Sequence, residues 1–326
     1  MTFDADAVLD ALGVPGPAVS AEPVAGGWSN AVWRVATASG EYAVKQLRNA
    51  WGEPRWLEWL GEGWRVERAA LAAGIRAPEP VVPPGSDACE VWVGGTAYRA
   101  HRWVEASVVP RAPVGPEFAR WTGESLAVLH GLALRPMQPS LYAGRVGLTT
   151  AEHWPPLIAR ASGAGVPWAR DLEESLPLAR RASALLEPWD DADAVLVHGD
   201  VDQKNLLVAA DGPLLIDWDV VLPAVPSHDL AHAALTLGSW SDPAAARAVL
   251  DGYAEASGSR PRLRPQDLGP ALASRLGWIR FTADRALDAV EAEAAEGTEQ
   301  PDLAGLLADL ERRVAVAENL ATWLRT

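Results

Sequence analysis

The stretch His198-Gly199-Asp200-Val201-Asp202-Gln203-Lys204-Asn205, followed by Leu214-Leu215-Ile216-Asp217-Trp218-Asp219, decides how this chain is read. An Asp and an Asn five residues apart on a loop precede a hairpin, turned at Asp211-Gly212, that presents another Asp; three oxygen-bearing side chains are thereby gathered. Such a set suits Mg²⁺, which takes carboxylate and carbonyl oxygens, keeps several waters and is completed by substrate phosphates. Asn adds an oxygen without charge, so the nearby Asp stays free to act as a base or to orient a hydroxyl. Phosphoryl transfer needs these parts: a positioned nucleophile, a metal bridging phosphates, and neutralised charge.

Upstream, Lys45 stands in Ala43-Val44-Lys45 on the third of three expected strands. The small Ala43, two residues before it, faces the same side of the strand and leaves room for a flat base while the ammonium meets phosphates. Gly26-Gly27-Trp28-Ser29-Asn30, before the second strand, lets backbone N–H groups approach phosphates closely, which singles out Gly27 and Ser29. Glu67, on the helix expected over 54–73, is the natural partner to hold Lys45. Of 28 basic residues only Lys45 and Lys204 are lysines, and both fall inside these motifs. An ammonium is a compact point charge and a guanidinium a wide fork, so the two lysines mark places where Arg will not serve.

Around these motifs the chain organises itself coarsely. A helix over 2–12, capped by Thr2 and closed by Gly13, leads into strands over 19–25, 31–37 and 41–47. A hairpin follows over 90–93 and 96–104. Helices are expected over 116–134, 170–187, 227–238, 243–256, 265–296 and 302–325, interrupted by short strands at 194–197, 206–208 and 214–216. A small β-rich N-terminal lobe, 1–104, is thus joined through a hinge near 100–106 to a larger, mainly helical lobe, 105–326. Trp56, Trp59 and Trp64 read as packing, not a ligand cage. Gly61-Glu62-Gly63 lacks the third glycine of a dinucleotide fingerprint and reads as a turn.

Composition narrows the functions. The 326 residues are 49% hydrophobic and 22% charged, which is ordinary for a globular chain. One cysteine, Cys89, makes neither a disulfide framework nor a thiolate metal cage. A net charge of −15 opposes phosphate backbones and anionic membranes, so neither nucleic acid nor membrane is expected as a partner. With no basic leader at the start and no long apolar run, the chain reads as cytoplasmic. Residues 105–326 carry −12 of the charge. Asp284, Asp288 and Glu291, on one helical face, would suit a polyamine, or else form a solvated surface.

Gly loop, Ala-x-Lys strand, helix Glu, hinge, His-Gly-Asp-x4-Asn and Ile-Asp-Trp, in that order over nearly the whole chain, resemble the aminoglycoside phosphotransferase family and its choline-kinase-like relatives. The resemblance implies a bilobal α+β fold of the protein kinase kind. It implies that Asp200 orients or deprotonates an acceptor hydroxyl and that Asn205 and Asp217 bind Mg²⁺. Lys45 would contact the α- and β-phosphates of ATP or GTP and pair with Glu67, while the hinge backbone at Arg102, Trp103 and Val104 holds the base. Two departures stand out. Asp219 occupies the place of the Gly that follows the Asp-Phe pair of protein kinases, and Asp202 stands where they put a Lys. Lys204 would supply the missing positive charge near the γ-phosphate, or else point to solvent. His198 is expected to be structural. Asp229 resembles the aspartate that braces the catalytic loop from the next helix.

The resulting expectation is an ATP-dependent phosphotransferase acting on a small hydroxylated acceptor, with antibiotic, amino alcohol, amino sugar and macrolide all open. The other class is a catalytically weak, nucleotide-binding regulator of the same fold. Intact Asp200, Asn205, Asp217 and Lys45 count against it.

Overall fold

The computed structural model describes residues 3–25, 30–49, 52, 54–142, 148–292 and 301–326. In chain order come α1 (Ala5–Leu12), β1 (Ser20–Val24), β2 (Ala31–Thr37), β3 (Gly40–Leu47), α2 (Trp56–Ala72), β4 (Pro80–Val81), β5 (Val91–Val93), β6 (Thr96–Arg102), β7 (Ala106–Val108) and α3 (Pro116–Gly131). Then follow α4 (Trp154–Gly163), α5 (Ala169–Glu174), α6 (Leu176–Ala184), β8 (Val195–Val197), β9 (Leu206–Ala209), β10 (Gly212–Leu215) and β11 (Leu222–Ala224). The chain closes with α7 (Pro226–Leu237), α8 (Pro243–Ser257), α9 (Gly269–Glu291), α10 (Leu303–Glu318) and α11 (Leu320–Trp323). These elements form two compact units. One comprises Met1–Pro110, Pro136–Leu141 and His198–Leu222; the other comprises Arg111–Arg135, Tyr142–Val197 and Pro223–Thr326.

The first unit is built on an antiparallel sheet of order β1-β2-β3-β6-β4, with β5 also on β6. Its two faces follow from strand alternation. Val35, Tyr42, Val44, Tyr98 and Ala100 join Val8, Leu9 and Leu12 of α1 in one core. On the other face Leu47 and Ala97 pack with Trp56 and Leu60 of α2. Lys45 and Arg99 are direct cross-strand partners on this second face, as are Ala43 and His101. A separate sheet, β10-β9-β7, carries the His-Gly-Asp-x4-Asn stretch just before β9. α1 is capped by Asp4, whose carboxylate accepts from Ala7 N, and Gly13 closes it with a left-handed φ of 71°; Thr2, the expected cap, lies outside the described residues.

α2 runs unbroken through Gly61-Glu62-Gly63, so that stretch is helix and not a turn. Gly63 is required there for another reason: a Cβ at this position would stand 2.5 Å from the Trp218 carbonyl oxygen. The Trp59 indole donates to Val221 O at 2.6 Å and the Trp64 indole to Asp87 O at 2.7 Å, so both serve as packing and tethering.

In the second unit α3 and α8 approach closely because each places a glycine at the crossing. A Cβ on Gly123 would meet Val249 O at 1.9 Å, and one on Gly252 would meet Arg120 O at 2.1 Å. The helix expected over 170–187 is two helices meeting at Ser175. α4 was not expected; Pro155 and Pro156 occupy its first turn, where no N–H partner is needed. Among the described residues no helix is long and apolar enough to cross a membrane.

Candidate active site

His198 to Asp219 forms one hydrogen-bonded assembly. Gly199 has φ 81° and a Cβ there would stand 2.6 Å from Val220 O, so the chain needs glycine at this turn. The fully buried His198 donates from Nε2 to Ile216 O (3.0 Å) and accepts at Nδ1 from Asp200 N (3.3 Å), which fixes the tautomer and aims the loop. Its ring packs edge-on against Trp218 at 4.7 Å, the structural role expected of it. Asn205 Nδ2 donates to Asp200 O (2.7 Å) and Asp200 Oδ2 (2.9 Å), and Ile216 N donates to Asn205 O (2.9 Å). Asp200, Asn205 and the residue before Asp217 are therefore stitched together. Asp217 itself is left-handed, φ 68° and ψ 59°, a conformation that Asp tolerates better than most side chains.

Lys204 is exposed but paired. Its Nζ lies 2.8 and 2.7 Å from the two Asp200 carboxylate oxygens and 2.8 Å from Asp202 Oδ2. Asp202 also accepts from Lys204 N at 2.8 Å, capping the short turn at Gln203–Asn205, which accounts for an acid where protein kinases carry a lysine. Burial pushes the Lys204 ammonium pKa down, but Asp200 and Asp202 outweigh this and hold it above the ordinary value.

Lys45 reaches the same assembly. Its Nζ donates to Asp217 Oδ1 at 2.6 Å and Asp219 Oδ2 at 2.7 Å. Burial alone would lower its pKa; Asp217 and then Asp219 reverse the sign and raise it. The Lys45–Glu67 pair expected from the sequence is replaced. Glu67 accepts from Arg99 Nη2 at 3.0 Å and pairs with His101 Nε2 at 2.7 Å. The reason is the sheet register: Arg99 lies beside Lys45 and takes the helix carboxylate itself, while its Nη1 donates to Asp219 Oδ1 at 2.7 Å. Burial raises the Glu67 carboxyl pKa, yet Arg99 and His101 hold it below the usual range. Asp219 is likewise held low: burial opposes, and Arg99 and Lys45 prevail. Sequence reasoning passed over Arg99 and His101. Their signal was alternation in Tyr98-Arg99-Ala100-His101, which sets two cationic or polar groups on the face that Lys45 occupies.

At the hinge, Arg102 N donates to Glu79 O (2.7 Å) and Trp103 N to Glu41 O (2.8 Å). Val104 N makes no hydrogen bond among the described residues. Gly27 and Ser29 lie outside the described residues; Asn30, at the end of that loop, donates from Nδ2 to Asp219 Oδ2 at 3.4 Å.

Two sequence candidates resolve elsewhere, in the second unit. The Asp229 carboxylate is bonded to His130 Nε2 at 3.0 Å. The acidic face of α9 is occupied by a side chain of the protein, since Arg160 pairs with Asp284 (3.1 Å), Asp288 (2.5 Å) and Glu291 (2.8 Å). That arginine, rather than a polyamine, answers the stripe.

The family model of the "Phosphotransferase enzyme family" matches residues 20–266, which span every motif described above. The chain belongs to this family. Among solved structures, spectinomycin phosphotransferase APH(9)-Ia, in complex with ADP and spectinomycin, is 14% identical, covers 99% of this chain and 100% of its own, and superposes with a TM-score of 0.62. An aminoglycoside phosphotransferase from Alicyclobacillus acidocaldarius is 20% identical, with 100% and 97% covered and a TM-score of 0.59. Plasmodium vivax ethanolamine kinase is 12% identical, with 91% and 81% covered and a TM-score of 0.55. At these identities the likeness establishes the bilobal kinase-like fold. No curated protein matches the chain. A family of small-molecule phosphotransferases, an N-terminal antiparallel sheet and a helical remainder agree with the class read from the sequence.

Proposed function

We propose that the chain transfers the γ-phosphoryl group of a magnesium nucleotide, ATP or GTP, to the hydroxyl of a small acceptor. The observation that carries this reading is the convergence of Lys45 on Asp217 at 2.6 Å, within an assembly where Asn205 is bonded to Asp200 at 2.9 Å. The donor set fits a divalent cation. The Asn205 amide nitrogen is spent on Asp200, which turns its oxygen outward as a ligand. Asp217 adds a carboxylate, and one or two such ligands plus phosphate oxygens are what Mg²⁺ requires. Lys45, Arg99, Asp217, Asp219 and Glu67 together bring two cations against three carboxylates, an excess of negative charge that a cation relieves. When bound, the metal neutralises charge on the phosphates.

The residues of the chain do the rest. Lys45 meets the α- and β-phosphates. The Val104 N–H, with Arg102 and Trp103 held by strand partners on either side, receives the base. Asp200 accepts the proton of the acceptor hydroxyl as its oxygen bonds to the γ-phosphorus and the bond to the β-phosphate oxygen breaks, releasing the nucleoside diphosphate. For this Asp200 has to be free of Lys204, whose flexible stem lets its ammonium move from the carboxylate to the transferring phosphoryl group. Residues 1–104 serve as the nucleotide clamp, and the catalytic and acceptor-binding parts lie within 105–326.

Hydroxylated amines are the first acceptors to try, because APH(9)-Ia is crystallised with spectinomycin and another similar structure is an aminopropanol kinase. The test is a nucleotide-consumption screen of the full chain against hydroxylated amines, sugars and antibiotics, with product phosphate located by ³¹P NMR. Magnesium-dependent transfer to one class is the expected result. A chain that binds MgADP yet phosphorylates nothing in the screen would favour the regulator instead.

A further inference from the structure

Lys45 and Arg99 face each other across β3 and β6, on the side of the sheet covered by α2. Two cations directly opposite on neighbouring strands repel, and both are nearly buried, so the arrangement persists only with shared counter-charge. Asp219 supplies it. One carboxylate oxygen takes Lys45 Nζ at 2.7 Å and the other takes Arg99 Nη1 at 2.7 Å, while Asn30 Nδ2 approaches at 3.4 Å. The other arm of the Arg99 fork takes Glu67 of α2 at 3.0 Å, and the guanidinium is 2% exposed. Lys45 also holds Asp217, which as a proposed metal ligand would be shared with the cation. Asp219 is then the carboxylate left to Lys45.

Resting on the reading of Lys45 as the phosphate-binding ammonium, we propose that Arg99 and Asp219 are positioning residues: Arg99 carries the placement of α2, through Glu67, to Asp219, and Asp219 holds Lys45 where the nucleotide meets it. A single direct carboxylate–lysine contact is thereby lengthened into a chain of three ion pairs. Only a planar fork spans two carboxylates from different elements in this way, which is why an arginine occupies position 99.

The chain has only two lysines, so the full protein grown with lysine ¹³C-labelled at Cε gives two signals, assigned by Lys204→Arg. Arg99 makes no hydrogen bond to Lys45, although it lies opposite it across the two strands. Arg99→Gln is expected to move the Lys45 signal, leave the Lys204 signal in place, and weaken MgADP at least tenfold; in the Lys45→Ala background the same change adds less than threefold. An Arg99→Gln protein that keeps the wild-type Lys45 signal and MgADP affinity overturns the proposal, as do effects of Arg99→Gln and Lys45→Ala that simply multiply. If Arg99→Gln does not fold, a crystal structure of the wild-type MgADP complex decides. Asp219 within hydrogen-bond distance of Lys45 Nζ, with Arg99 between Glu67 and Asp219, supports the relay; a direct Lys45–Glu67 pair refutes it. Failure of wild-type protein to bind MgADP would sink the phosphotransferase reading alone, since the movement of the Lys45 signal in Arg99→Gln is read without nucleotide.

Discussion

Lys45 donates to two carboxylates at 2.6 and 2.7 Å beside a guanidinium that already fills the neighbouring position. A second planar fork has no room to replace the point charge. Lys45→Arg, although it conserves charge, is expected to lower turnover at least tenfold while the protein stays folded, measured by kcat/KM together with circular dichroism. The lysine count singled out this residue because composition reports what a position refuses. Glu67 was found as a buried helix carboxylate but given the wrong partner. Which cation a buried carboxylate meets depends on cross-strand register, and register is set by pairing between β3 and β6 rather than by anything local to α2. Asp219 was read as a group near the metal or a substrate contact, and its pairing was missed for the same reason. Its partners, Lys45 and Arg99, come from distant strands.

Among the helices, α2 reaches the site because Gly63 lets its backbone approach that of Trp218. Gly63→Ala puts a Cβ 2.5 Å from a carbonyl oxygen, and the helix must shift. The expected cost is about 1–3 kcal/mol, the range for overpacking, read as a lower midpoint in urea with an unchanged slope. Nucleotide affinity should fall with it, because Glu67 moves with the helix. Strands and helices with clean periodicity were legible; those hidden by their own punctuation were not. Gly61 and Gly63 read as a turn although they lie in mid-helix, and α4, with Pro155 and Pro156 in its first turn, was not expected. In both places tertiary contact or position in the first turn overrides the ordinary meaning of the residue. β7, three residues long, is strand because β9 is available to pair with it.

For the molecule as a whole, the buried ion cluster predicts how stability responds to acid. Glu67 and Asp219 have lowered carboxyl pKa values in the folded state. Their contribution is present above the unfolded carboxylate values, about 4, and is lost as pH falls through the lower folded ones. Calorimetry should therefore show the wild-type melting temperature dropping steeply below about pH 4, and the gap between wild type and Asp219→Asn narrowing from pH 7 to pH 3. Lys45 acts with the opposite sign, stabilising below its unfolded value and losing that effect as pH rises through its raised folded pKa. The net charge of −15 did not foretell the α9 stripe, where Arg160 pairs with the three carboxylates. Net charge counts side chains; it does not say which are paired.

The central claim is that Asp200 takes the proton of an acceptor hydroxyl beside a nucleotide held by Lys45. Transfer of ³²P from γ-labelled ATP to an accepted substrate, compared between wild type and Asp200→Asn alongside MgADP titration, tests it directly. Turnover is predicted to fall by about 10²–10⁴ in the variant with MgADP affinity nearly unchanged; equal turnover in the two proteins would contradict the account.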